Sequence, residues 1–196
     1  MAAFFLFSLA ILISYKISAV LYLILLVYFI QTIAYSMFLK KIIIVDVIII
    51  ATGFMFRAIA GVLVIEEPIS SWFIICTIFL SLFLALNKRL AEIIAMGENA
   101  RLVRHTLSQY NPKFLEQMIN TIAASCLISY ALYTLDSETV SKFGTRNLVF
   151  TLPFVIYGLF RYLYLVQHEN QGESPETVML KDKPLLLTII LYGLTV

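Results

Sequence analysis

Charge is the scarcest feature of this sequence. Only 13% of its 196 residues are Asp, Glu, Lys or Arg, and 61% are hydrophobic. An ordinary soluble domain carries about 25% charged and about 45–50% apolar residues. A soluble fold of this size would have no polar surface left for water, so composition alone places the chain in a bilayer. Its mean hydropathy of +0.94 agrees. Cysteine is nearly absent as well. Cys76 and Cys126 lie in apolar runs with no CxxC or Cys/His spacing, which excludes a disulfide framework and leaves them as small core hydrophobes. With two histidines, His105 and His168, both in polar stretches, a His-based metal site is not expected. A net charge of +2 gives no global basic field, so nucleic acid is not an expected partner. The opening MAAFFLFSLAILISY lacks the basic region and small-residue cleavage site of a signal peptide and reads as a membrane segment.

What is present is a series of apolar runs, several near the roughly 20 residues that cross a bilayer as a helix. Seven segments are expected: about Ala3 to Tyr15, which is short, Ala19 to Phe38, Ile42 to Ile65, Trp72 to Leu86 with room to continue past Glu92, Phe114 to Leu135, Leu148 to Gln167, and Pro184 to the end. No repeat or long polar linker interrupts them. The expected fold is an all-α polytopic membrane bundle, with 1–196 forming one domain.

The joins between segments alternate in character. Those at Lys40-Lys41, Asn87 to Lys113 and His168 to Lys183 hold nine of the fourteen Lys and Arg residues. The opposite joins hold three, Lys16, Lys142 and Arg146. Basic residues concentrate on the inner side of a membrane, so the nine-charge face is expected to be cytoplasmic, in the plasma (inner) membrane. Two joins on that face run to about 27 and about 16 residues, where bundle helices are usually linked by about 2–8. Long polar loops on one face commonly cover a site.

Ionisable groups inside spans are costly and face partners or cavities. Asp46 and Arg57 share the third segment, eleven positions apart, which returns nearly to one azimuth at 3.6 residues per turn. Gly53 lies on that face, and Gly61 near it permits close helix approach. In Asn87-Lys88-Arg89-Leu90-Ala91-Glu92, both basic residues can reach Glu92 along one helix surface. Arg161 lies in the sixth segment, and Tyr35 and Lys40 close the second. Taken singly, the lysines and Arg89 also suit snorkelling anchors, and Tyr35, Tyr162 and Tyr164 suit an aromatic belt. As a set, Lys40, Arg57, Lys88, Arg89 and Arg161 suit a phosphate-bearing ligand. Asp46 and Glu92 among them suit a divalent cation bridging phosphates.

These residues carry a family resemblance. YSMFLKKIIIVDVIIIATGFMFRAIAG (Tyr35 to Gly61), ISSWF, LFLALNKRLAEI (Leu82 to Ile93), RHTLSQY with Arg104 and Tyr110, LPFVIYGLFRYLYLV and PETVMLKDKPL follow in order. Together they resemble the polyprenyl-phosphate phosphoribosyltransferase branch of the UbiA superfamily of membrane prenyltransferases. The resemblance implies about nine spans around a cavity open to the cytoplasm. The implied reaction moves 5-phosphoribose from phosphoribosyl pyrophosphate to a polyprenyl phosphate, such as decaprenyl phosphate, with Mg2+, in cell-wall polysaccharide precursor synthesis. It implies catalytic roles for Asp46, Lys88 and Glu92, and substrate contacts for Tyr35, Lys40, Arg57, Arg89, Arg104, Tyr110 and Arg161. Asp46 and Glu92 would be the metal ligands present. The superfamily's first aspartate motif, of the type NDxxDxxxD, has no match here, so the domain is expected to be N-terminally incomplete and weak or inactive alone. Its second aspartate motif is replaced by Lys88, Arg89 and Glu92, which favours a soluble phosphosugar over a prenyl diphosphate. Two other readings stand beside this one. A UbiA-type prenyltransferase using an aromatic or quinone-precursor acceptor would need the paired aspartate motifs. A transporter or non-catalytic membrane protein would use Asp46 and Arg57 as a gated ion pair.

Overall fold

A computed structural model describes residues 14–65, 67, 69–96, 109–168 and 175–196. Among the described residues the regular structure is helical: α1 (Ala19–Met37), α2 (Val45–Val64), α3 (Ser71–Met96), α4 (Pro112–Leu135), α5 (Ser137–Phe143), α6 (Leu152–His168), α7 (Pro175–Lys181) and α8 (Lys183–Thr195), with 3-10 turns at Leu39–Lys41 and Asn147–Thr151. Helices are what lipid permits, because each backbone donor and acceptor must be satisfied within its own segment. α1, α2, α3, α4 and the stretch Asn147–His168 are long and apolar enough to cross a membrane, and α8 is a shorter apolar helix. The chain is a polytopic helical membrane bundle. Most of the expected first segment lies outside the described residues.

Local sequence sets the helix starts. Ser18 caps α1 by accepting from the Val20 amide, and Asn111 caps α4 by accepting from the Lys113 amide. Pro112 then occupies the first turn of α4, where its missing N–H costs nothing. Asp136 caps α5, and Gly144 ends it at φ +67°, a backbone that glycine adopts without a Cβ penalty. Asp182 caps α8 by accepting from the Leu185 amide.

α3 is the centre of the bundle. Phe83, Leu86 and Leu90 follow one face of it and are buried, and they join Leu115 and Ile119 of α4, Leu159, Leu165 and Val166 of α6, and Val47 of α2 in one core. Ala85 and Ala91 on α3 and Ala123 on α4 are also buried there, and small residues let helix backbones approach closely in lipid. α1 packs on α2 and otherwise presents Val20, Leu23, Val27, Ile30 and Ile33 outward, a surface that suits lipid tails.

One expectation is corrected and two details are added. The fourth segment takes the longer of its expected extents: α3 continues helically through Met96 with no Gly or Pro inside it, and Arg89 meets Glu92 at i,i+3. The joins around Ser137 and Pro175 hold the short helices α5 and α7. Gly61 makes no close helix contact, since an added Cβ there would meet nothing within 4 Å.

Candidate active site

Asp46 is the anchor of the polar cluster. It lies in the first turn of α2 and is fully buried. Its Oδ2 accepts from Arg89 Nε at 3.0 Å and its Oδ1 accepts from the Tyr110 hydroxyl at 2.8 Å. Arg89, 3% exposed, also donates through Nη1 to Glu92 at 2.5 Å and through Nη2 to the Tyr35 hydroxyl at 3.5 Å. One guanidinium therefore holds together α1, α2 and its own helix. A planar fork suits this task because each nitrogen points along a fixed direction. Two carboxylates against one arginine leave a net negative centre, with Lys88 exposed on the next position of α3 and Lys40 half-buried in the turn before α2.

Tyr110 is 4% exposed and enters this cluster from the residue before the α4 cap. Its hydroxyl donates to Asp46 and accepts from the Ile44 amide at 2.7 Å. Burial, and then the bond to Asp46, push its phenol above the ordinary tyrosine value, so it stays protonated and remains a donor. Ile44 itself has φ 68° and ψ −45°. The Val45 amide donates to the Ile43 carbonyl at 2.8 Å across it. This is a γ-turn of the strained hand, centred on a β-branched residue. Such backbone costs about 1–3 kcal/mol and persists only where its surroundings over-determine it.

Arg57 stands apart from this cluster. Eleven residues along α2 correspond to about 16 Å of rise, so a shared azimuth with Asp46 does not bring the two side chains together. Its Nε donates to the Gly53 carbonyl, and its guanidinium lies over the rings of Phe54 and Tyr28, 4.2 Å and 5.7 Å from their centroids. A cavity of about 160 Å³ between α1 and α2 has Arg57, Tyr28, Gln31 and Tyr35 in its wall. Tyr35 thus belongs to both places, and it links the seam that Arg57 lines to Arg89. Gln31 was missed in the sequence. Its amide donates to the Ile49 carbonyl at 2.6 Å and to Thr52 Oγ1 at 2.8 Å, and its signal was a lone amide inside the apolar run of α1.

The remaining candidates are placed elsewhere. Arg161 makes a two-point pair with Asp182, Nε to Oδ1 at 3.2 Å and Nη2 to Oδ2 at 2.7 Å, and stacks over Tyr164. It ties α6 to the start of α8. Arg104 lies outside the described residues. The ion pair of the transporter reading is not formed, because Asp46 pairs with Arg89.

The donor set does not suit a divalent cation in this arrangement. Both oxygens of Asp46 are engaged, Glu92 is turned to the same arginine, and a positive charge sits between the two carboxylates. Magnesium needs near-octahedral oxygen ligation. Among the described residues no group of three or more His, Cys, Asp or Glu side chains could hold a metal ion.

Between α3, α4, α6 and α8 lies an apolar cavity of about 450 Å³, walled by residues such as Leu80, Phe83, Val155 and Leu159, with Tyr130 and Tyr192 also lining it.

No protein-family model matches the chain. Curated relatives do. The chain is 29% identical over 191 residues to a protein of Mycolicibacterium smegmatis named decaprenyl-phosphate phosphoribosyltransferase, covering 92% of this chain and 58% of that one. A Corynebacterium glutamicum protein of the same name is 32% identical over 160 residues, 81% of this chain and 48% of its own. One from Mycobacterium tuberculosis is 29% identical over 174 residues, 89% and 56% respectively. The chain spans about half the length of the curated relatives it matches. The similarity bears out the branch that the ordered motifs resembled.

Proposed function

We propose, from this kinship with proteins named decaprenyl-phosphate phosphoribosyltransferase, that the chain supplies part of an enzyme that transfers 5-phosphoribose from phosphoribosyl pyrophosphate to a polyprenyl phosphate. The observation that carries the reading is the similarity over 92% of the chain. The polar cluster and the nearby basic residues are what such a reaction would use. The bond from the ribose anomeric carbon to pyrophosphate breaks, and a new one forms to an oxygen of the lipid phosphate. The pyrophosphate leaves with added negative charge, and fixed cations aimed at developing charge are usually the largest catalytic contribution. Lys88 and Lys40 flank the cluster and Arg57 opens onto the seam. Arg89, with Asp46 and Glu92 on either side, acts as the fixed frame between them. The acceptor's hydrocarbon suits the apolar cavity. The Lys and Arg bias supports a cytoplasmic site in the plasma membrane, and the product would feed cell-wall polysaccharide synthesis.

Magnesium stays in the proposal as the companion of a diphosphate substrate. Asp46 and Glu92 as they stand do not present a site for it.

The test is binding of phosphoribosyl pyrophosphate in the presence of magnesium. Arg57→Ala and Lys88→Ala are each expected to weaken it about tenfold or more, as a charge-assisted phosphate contact would. Titration calorimetry on purified protein in detergent would measure this. Unchanged affinity in both variants would remove the anion site from the proposal.

A further inference from the structure

The γ-turn at Ile44 is the one positive-φ non-glycine residue among the described residues, and it sits at a consequential place. On its N-terminal side is the 3-10 turn that carries Lys40 and Lys41, and on its C-terminal side, two residues on, is Asp46. Ile44 is therefore the joint between the basic turn and the buried ion pair. Nothing in its local sequence, IIIVD, favours a positive φ, and a β-branched residue there is a genuine outlier. Something outside the turn must hold it. The Ile44 amide finds its acceptor in the Tyr110 hydroxyl at 2.7 Å, 66 residues away, and the same hydroxyl donates to Asp46 at 2.8 Å. Tyr110 uses its single proton and its oxygen on these two bonds. It is 4% exposed, so these two bonds are its contacts in this geometry.

We propose that Tyr110 is a positioning residue. Its hydroxyl bridges the Ile44 amide and the Asp46 carboxylate, clamps the γ-turn, and so fixes the Lys40–Lys41 turn relative to the Asp46–Arg89 pair. The consequence for ligand rests on the function proposed above; the clamp itself does not. Because Tyr110 immediately precedes the Asn111 cap of α4, the entry of α4 and the joint before α2 become one mechanical unit. The raised phenol value noted above is consistent with a hydroxyl that stays a donor to Asp46.

Three variants of the 196-residue chain in detergent test this: Tyr110→Phe, Ile44→Gly and the double variant. Each is read by binding of phosphoribosyl pyrophosphate with magnesium and by hydrogen–deuterium exchange of the segment that contains the Ile44 amide. Tyr110→Phe is expected to speed exchange there and to weaken binding about tenfold, the scale of releasing a strained turn worth about 1–3 kcal/mol. Ile44→Gly alone is expected to bind like wild type, because glycine adopts positive φ without strain. The double variant is expected to recover most of the binding that Tyr110→Phe loses. A structural loss unrelated to the turn would not be rescued by a glycine at position 44. Unchanged exchange in Tyr110→Phe, or a double variant that binds as weakly as Tyr110→Phe, would overturn the proposal. If wild type itself binds no phosphoribosyl pyrophosphate, the anion site proposed above is not formed by this chain alone, and the exchange measurements still decide the clamp.

Discussion

Arg89→Ala is expected to destabilise the protein by about 3–5 kcal/mol, the range found when one partner of a buried ion pair is removed. The helix is not the reason, since alanine is the best helix former. The cost comes from what is left behind. Asp46 is fully buried and would lose the cation on its Oδ2, and Glu92, 18% exposed, would lose its partner at the same moment. Both carboxylates would then lose their shared cation, with the Tyr110 hydroxyl still donating to Asp46. Arg89→Lys is expected to recover only part of the loss, because an ammonium cannot reach Asp46, Glu92 and Tyr35 along three fixed directions. Lys88→Ala is the control. That side chain is exposed one residue away, and a surface change of this kind usually stays within about 0.5 kcal/mol. Thermal or denaturant unfolding in one detergent would compare the three, and a stable Arg89→Ala would show that Arg89 does not carry the cluster.

The distance between that cluster and its sequence signal shows what could be read in advance. Helix identities were legible wherever lipid enforces them. The expected Ala19 to Phe38 and Phe114 to Leu135 differ by one or two residues from Ala19–Met37 and Pro112–Leu135. Hydrophobic length fixes such spans, and Ser18 and Asn111-Pro112 mark where they start. The i,i+3 pair of Arg89 with Glu92 was also legible, because both ends lie on one helix. Asp46 and Arg89 were legible only as residues on one face, and Tyr110 only through the family resemblance. The pairings cross 43 and 64 residues, and no periodicity encodes which arginine a buried aspartate will meet. Azimuth misled for Arg57, since a helical wheel discards the rise that separates it from Asp46. The turn at Ile44 had no local signal, because its cause lies in Tyr110.

Asp182→Ala carries the second large effect, with an expected loss of about 2–3 kcal/mol. One carboxylate does three jobs there. It accepts twice from Arg161 and once from the Leu185 amide, so the substitution removes a charge-assisted two-point pair and a helix cap worth about 1 kcal/mol. The pair is only partly screened, with Arg161 26% and Asp182 9% exposed. The bonds from Arg161 hold the Asp182 carboxyl below its ordinary value, and the sign of the pH effect follows. A depressed carboxylate stabilises the fold at every pH above the unfolded value of about 3.9, and that contribution is lost as pH falls through the lower folded value. Asp182→Asn separates the two parts. Asparagine caps as well as aspartate does but cannot pair with Arg161 as a charge. The stability gap between wild type and Asp182→Asn is therefore expected to be flat from about pH 5 to 8 and to shrink below about pH 4. The further gap from Asn to Ala should stay constant across that range, because the amide cap does not titrate. If the gap from wild type to Asn does not narrow in acid, the Arg161–Asp182 pair is not what joins α6 to α8. The two helices would then be held by Leu159 and Leu185, both buried in the shared core.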